Sequence, residues 1–165
     1  IMLSNNMLNE VNDQIKHEMF SAYLYLSMSA HYEASNLPGF AKWMRIQAQE
    51  EMGHAMKFFD FLVDRGGKIT LEAIAQPPVD FGTPLAIFEQ VLEHEQFVTA
   101  RINTLYALAV KENDFASQVF LNWFVTEQVE EEKNASSILE TLKMIGDRRT
   151  AIYQLDRHVG KRGED

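Results

Sequence analysis

Glu51 and His54 stand three residues apart in Gln49-Glu50-Glu51-Met52-Gly53-His54, inside a stretch with the pattern of a long amphipathic helix. At that spacing a carboxylate and an imidazole share one helix face, one turn apart, and both can reach the same metal ion. The chain has no cysteine, so zinc-ribbon and rubredoxin-type thiolate sites are excluded and any metal must be held by oxygen and imidazole. A solvated histidine on an acidic helix would show the same local pattern. The pair therefore gains meaning from where its partners fall.

Proline and glycine divide the 165 residues into a few long pieces with almost no strand-like alternation. The pattern predicts a first helix from Ser4 to Ala34, broken at Ser35-Asn36-Leu37-Pro38-Gly39, and a second from Pro38 to about Arg65, stopped at Gly66-Gly67. Lys68 to Gly82 carries Pro77-Pro78 and no sustained period. Thr83-Pro84 opens a third helix ending near Asn113, Asp114 caps a fourth that runs to Ile145, and Gly146 closes it. A short amphipathic piece, Arg148 to Val159, places Ala151, Ile152, Leu155 and Val159 on one side. A helix of about 28 residues is roughly 42 Å long, and roughly 17 extended residues can cross about 55 Å, so the Lys68–Gly82 linker can travel the length of a bundle. The expected fold is all-α: a four-helix bundle over about 4–145 with a long crossover between the second and third helices, and a short fifth C-terminal helix over about 148–160. One domain spans 1–165.

The inward stripe of each helix follows at alternating steps of three and four. It reads Leu8, Val11, Ile15, Glu18, Ala22, Tyr25, Ser29 in the first helix and Phe40, Met44, Gln47, Glu51, His54, Phe58, Phe61 in the second. The third gives Phe88, Val91, Glu95, Val98, Ile102, Leu105, Ala109, and the fourth Leu121, Phe124, Gln128, Glu131, Ala135, Ile138, Leu142. Every stripe has an acidic residue near its middle, flanked by residues that favour burial. Burying a carboxylate costs several kcal/mol even after relaxation, so four of them together need a compensating device. Two divalent cations would neutralise Glu18, Glu51, Glu95 and Glu131 if His54 and Gln128 bind as neutral groups. Protonation of the carboxyls is the alternative, since no lysine or arginine lies on these stripes.

Glu18 and Tyr25, the Gln49–His54 motif, His94-Glu95-Gln96, and Trp123 with Glu127-Gln128-Val129-Glu130-Glu131-Glu132-Lys133 together resemble the bacterial non-haem ferritins over essentially the whole length. The resemblance implies a ferritin-like fold and a homo-oligomeric shell of twenty-four subunits. Each subunit would carry a ferroxidase centre that oxidises Fe(II) with dioxygen or hydrogen peroxide, and the shell would store the ferric oxyhydroxide product. It implies a di-iron centre in which Glu18, Glu51 and His54 hold the first iron, Glu51 bridges, and Glu95 and Glu131 hold the second with Gln128 close by. A third iron site would draw on Glu50, Glu127, Glu130 and Glu131, and Tyr25 and Trp123 could supply an electron.

Gln128-x-x-Glu131 stands where a symmetric di-iron bundle would have a second Glu-x-x-His, so the second metal is expected to be the more weakly held. Met52 opens the alternative of a haem-binding bacterioferritin, whose motif places a methionine after the bridging Glu; with Gln128 and Glu131 in place of that family's Glu and His, no haem is expected. A metal-free structural bundle is the other alternative. A DNA-binding mini-ferritin would place its iron between subunits, and a rubrerythrin-like peroxidase would need thiolates that the chain lacks. In the short last helix, Ile152 and Leu155 are candidates for packing at a fourfold pore. The remaining histidines, His17, His31, His94 and His158, lie off the stripes and are expected at the surface or at subunit contacts.

The net charge of −9 argues against a nucleic-acid surface. No apolar run approaches the length of a membrane span, and no basic segment precedes an apolar one at the amino terminus. A soluble, cytoplasmic protein is expected.

Overall fold

The computed structural model describes residues 3–164; residues 1, 2 and 165, the outermost of the expected 1–165 domain, lie outside it. The described chain forms α1 (Asn5–Ala34), α2 (Pro38–Asp64), α3 (Pro84–Lys111), α4 (Phe115–Ile145) and α5 (Arg149–Val159), with no strand among the described residues. Side-chain caps start three of the long helices where the sequence marks them. Ser4, Thr83 and Asp114 accept hydrogen bonds from the backbone N–H of Met7, Ala86 and Ser117, while Pro38 opens α2 without a side-chain cap. The tight α1–α2 and α3–α4 turns each place one asparagine, Asn36 and Asn113, in the left-handed region, at φ 59° and 54°.

Residues 65–83 form the crossover and lie along α1 from one end to the other. Asn12 accepts from Thr70 N–H and donates to the Lys68 carbonyl, Lys16 pairs with Glu72 at 2.9 Å, Ser27 donates to the Pro78 carbonyl, and His31 bonds the Gly82 carbonyl. The linker therefore returns the chain to the end where α2 began. That makes α2 and α3 parallel and gives the crossover bundle expected from the linker's reach.

The core is divided by a polar layer. Toward one end, Tyr25, Met28, Tyr32, Phe40, Met44, Phe88 and Leu142 form an apolar cluster; toward the other, Met7, Val11, Ile15, Phe58, Leu62, Ile102 and Phe124 form a second. The stripes hold along most of their length, in α3 to both ends, and slip at three positions. Leu8, Phe61 and Ile138 are only half-buried, and the buried positions are Met7, Leu62 and Leu139 instead. A strict 3.5-residue step falls behind a 3.6-residue helix by about 20° per heptad, so the face can move one residue outward away from the middle of a stripe, as it does at these positions.

The α5 helix is too short to be stable alone and docks on the open end of the bundle. Its Val159 joins the first cluster, Leu155 packs against it, and the buried Asp156 accepts from Phe40 N–H at 2.8 Å, capping the first turn of α2 from a distant part of the chain. The approach is close enough to require glycine, since a Cβ at Gly39 would fall 1.8 Å from the Asp156 carbonyl oxygen. Beyond α5, residues 160–164 lie along α2, held by Lys42–Glu164 at 2.8 Å and by Arg162.

Candidate metal centre

Between the two apolar clusters, Glu18 of α1, Glu51 and His54 of α2, Glu95 of α3, and Gln128 and Glu131 of α4 meet as buried polar side chains. Their ligand atoms fall into triads whose members lie within 4.8 Å of one another: Glu18–Glu51–His54, Glu51–Glu95–Glu131, and His54–Glu127–Glu131. Glu51 belongs to the first two, the position a bridging carboxylate requires.

The hydrogen bonds show how the centre is held. His54 Nδ1 lies 3.1 Å from one Glu51 oxygen and 3.9 Å from Glu18 Oε2. Gln47 Nε2 donates to the other Glu51 oxygen at 2.9 Å and to Glu131 at 3.0 Å, tying α2 to α4. Gln14 Nε2 donates to Glu18 Oε1 at 3.0 Å, and Arg101 Nε donates to Gln14 Oε1 at 3.3 Å. On the far side the Tyr25 hydroxyl donates to Glu95 Oε1, and Gln128 Nε2 to Glu95 Oε2 at 3.1 Å.

Glu18 Oε2 has no hydrogen-bond partner, although Glu18 is only 1 % exposed. A buried polar atom left unsatisfied is costly, and here it faces a carboxylate and an imidazole. A cation coordinated by all three would satisfy it.

Electrostatics point the same way. Burial, and then the charge of Glu51, push the Glu18 carboxyl well above the usual range. The same two causes lift Glu95 to about 8, and burial with the charges of Glu95 and Glu51 lifts Glu131 to about 8. Burial opposes ionisation of Glu51 too, but the hydrogen bond and charge of His54 hold it below its ordinary value. Burial likewise opposes the charge on His54, and the hydrogen bond and charge of Glu51 outweigh it and raise the imidazole. Three carboxyls are thus made reluctant to ionise by one another and by burial, a condition that bound cations relieve.

The residues of the expected third iron site divide. Glu127 comes within 3.9 Å of His54 Nε2 and joins a triad with Glu131. Glu50 and Glu130 are exposed and enter no triad, and the Glu50 carboxylate is turned to Arg162 at 2.7 Å. Trp123, 40 % exposed, sets its ring edge-on to His54 with 5.4 Å between ring centres. Met52 lies on the outer face of α2, 43 % exposed, beside Met19, Tyr23, Leu26 and Ile74.

Three of the histidines expected at the surface or at subunit contacts are half-buried within the chain. His94 is half-buried and bonds Ser21 Oγ at 2.7 Å, His17 is half-buried against Phe97 and bonds Asp13, and His31 bonds the crossover at Gly82. Each sits at the shoulder of its stripe, where neighbouring helices or the linker cover it. His158 is exposed.

Gln14, Arg101 and Arg162 were not visible as parts of the site from the sequence. One signal was there: Gln14-x-x-x-Glu18 and Gln47-x-x-x-Glu51 repeat the same spacing, one turn upstream of each acidic residue.

A family model described as ferritin-like domain matches residues 8–145. The chain is 44 % identical over 161 residues to the bacterial non-heme ferritin of Bacteroides fragilis, covering 98 % of this chain and 100 % of that one. It is 38 % identical over 164 residues to the bacterial non-heme ferritin of Staphylococcus aureus, covering 99 % of each. Among solved structures, an open pore ferritin from the hyperthermophilic archaeon Archaeoglobus fulgidus superposes with a TM-score of 0.97 at 48 % identity, over 98 % of this chain and 99 % of that one. A closed form of the Archaeoglobus fulgidus ferritin, engineered by site-directed mutagenesis, gives 0.95 at 48 % identity over 97 % and 98 %.

Proposed function

This chain belongs to the ferritin family, and we propose that it takes up Fe(II) at the four-carboxylate centre, oxidises it with dioxygen or hydrogen peroxide, and stores the ferric product inside an oligomeric shell. The observation that carries this reading is Glu18 Oε2, buried without a hydrogen bond beside Glu51 and His54 in a layer where four carboxyls face a single imidazole. Oxygen and imidazole donors suit Fe(II), which is substrate here. Glu18, Glu51 and His54 bind the first ion, Glu51 bridges, and Glu95 and Glu131 bind the second beside Gln128. Glu127, with Glu50, Glu130 and Glu131, offers a third and more exposed site, in which the Glu50 carboxylate is held by Arg162. Two Fe(II) ions give up one electron each, and dioxygen takes both with two protons to become hydrogen peroxide.

Tyr25 is buried against Glu95, and its phenol is pushed well above its usual range, first by burial and then by the Glu95 charge. It therefore stays protonated; an electron from it would be additional to the two from iron, reducing the oxidant beyond peroxide, with its proton passing to the Glu95 oxygen that accepts its hydrogen bond. The bundle and α5 act as a single domain, and the assembly is a twenty-four-subunit shell in the cytoplasm. The relatives' names as non-heme ferritins favour iron without haem. Among the described residues no helix is long and apolar enough to cross a membrane.

Size-exclusion chromatography combined with anaerobic Fe(II) loading and exposure to air tests the proposal. The expected result is a large assembly that oxidises Fe(II) many times faster than buffer and retains the iron. A small species, or an assembly that oxidises no faster than buffer, would sink it.

A further inference from the structure

Arg162, beyond the end of α5, reaches back to α2 and touches the support of the metal centre. Its Nη1 donates to the Trp43 carbonyl at 3.2 Å, its Nη2 to Gln47 Oε1 at 2.9 Å and to Glu50 Oε2 at 2.7 Å, and its guanidinium stacks over the Trp43 ring at 4.4 Å. The side chain is 21 % exposed, so this is a docked group and not a loose surface pair.

The contact to Gln47 has a consequence one bond further in. An amide has a donor end and an acceptor end, and the guanidinium can only donate. With Oε1 turned to Arg162, Nε2 must face inward, where Glu51 and Glu131 both accept from it. The reversed amide would set its oxygen against two carboxylates and its N–H groups against a cation. Arg162 thereby fixes the direction of the Gln47 amide, which joins the α2 and α4 carboxylates. Arg101 stands in the same relation to Gln14 and Glu18, but from within the bundle on α3.

The contact to Glu50 acts on the exposed side. Glu50 is spent on a guanidinium, which takes the position of a counter-cation for that carboxylate. An ion that drew on Glu50 Oε2 would have to compete with Arg162 for it.

We propose that Arg162 is a positioning residue of the metal centre, which orients Glu51 and Glu131 through Gln47 and, by holding Glu50, keeps the third acidic site from filling. The inference rests on the reading above that these carboxylates hold iron. It makes residues 160–164, folded along α2, a determinant of how many ions each subunit binds.

The assembled protein, its Arg162→Ala variant and its Arg162→Lys variant are titrated with Zn(II) by calorimetry, and crystals soaked in Zn(II) are read by anomalous scattering. Wild type is expected to show ions at the Glu18–Glu51–His54 and Glu51–Glu95–Glu131 positions and none at Glu50. Arg162→Ala is expected to bind those ions roughly 10-fold more weakly, the lower range for loss of a group that orients ligands, and to gain a third anomalous peak between Glu50 and Glu127. Arg162→Lys keeps a cation on Glu50 but cannot reproduce the planar fork, so it is expected to lose affinity without gaining the third peak. Unchanged affinity in both variants overturns the coupling through Gln47, and no third peak in Arg162→Ala overturns the guard on Glu50. Absence of ions from the wild-type centre itself would overturn the iron reading and this inference with it, a result distinct from either.

Discussion

The α1–α2 and α3–α4 halves of the centre carry similar carboxylates that differ at one atom, an oxygen of Glu18 without a hydrogen bond. In the first, Glu18 Oε2 has no partner and His54 stands beside it. In the second, both Glu95 oxygens accept, from Tyr25 and from Gln128, and Glu131 accepts from Gln47. An ion entering the first half gains contacts at an atom that has none. One entering the second competes with existing hydrogen bonds, each worth about 0.5–1.5 kcal/mol where the acceptor is a neutral carboxyl. The difference follows from the sequence: the second half has Gln128 where the first has a metal-ligating type, so its amide serves as a donor to a neighbouring carboxylate. The halves should fill in order, and they can be tested against each other.

Glu51 is where the comparison should break most completely, because both halves use it. Glu51→Ala is expected to remove both ions and to reduce Fe(II) oxidation by more than about 100-fold, above the usual range for residues that only orient ligands. Zn(II) calorimetry would show it directly. Retention of one ion at full affinity would mean that the halves are independent and that Glu51 is no bridge.

The protonation of the second half gives a different handle. Glu95 and Glu131, each lifted to about 8 chiefly by burial, are mostly protonated at pH 7 in the metal-free protein. Zn(II) binding there should release about two protons per subunit near pH 7, and fewer as the pH rises past 8, as read by an indicator dye in weak buffer. The same shifts set the stability of the metal-free protein. Carboxyls raised from 4.5 bind protons more tightly when folded, so their contribution is complete below about pH 4.5 and is lost as the pH rises through about 8. The loss is at most on the order of 5 kcal/mol per group, and less in sum because the two repel each other. Thermal unfolding of the metal-free protein should therefore shift down between pH 5 and 8, and Zn(II) should flatten the slope. A flat metal-free profile would mean that the carboxyls ionise without penalty.

Most of this centre was legible because helices repeat. Glu18, Glu51, Glu95 and Glu131 each fall on an apolar stripe, and a charge in such a place is conspicuous when residues are read at steps of three and four. The helix ends were legible from Ser4, Pro38, Thr83, Asp114 and Gly146 for local reasons of capping. What depended on distant parts of the chain left no periodic trace. Arg162 meets Gln47 across 115 positions and Arg101 meets Gln14 across 87, and neither arginine differs in sequence from one on a solvated face. The stripe positions Leu8, Phe61 and Ile138 slipped for a third reason, the mismatch between an integer pattern and the helix pitch.

The smallest expected effect concerns Gln128, and it separates two roles for that residue. Its Nε2 faces Glu95, donating to the carboxylate at 3.1 Å, to the Glu95 carbonyl at 3.2 Å and to Thr99 Oγ1 at 3.2 Å. An amide nitrogen in that orientation competes with a metal for the carboxylate. Gln128→Ala should release Glu95 Oε2 and strengthen the second ion, but only by about 3- to 10-fold, since the amide's net contribution is nearer 1 kcal/mol once its own desolvation is counted. The first ion should bind as before, because Gln128 makes no hydrogen bond to Glu18, Glu51 or His54 among the described contacts. The gap between first and second affinities in Zn(II) calorimetry should then narrow. A gap that widens would mean that Gln128 turns its oxygen to the metal and is a ligand, and the second half would then resemble the first more closely than its hydrogen bonds suggest.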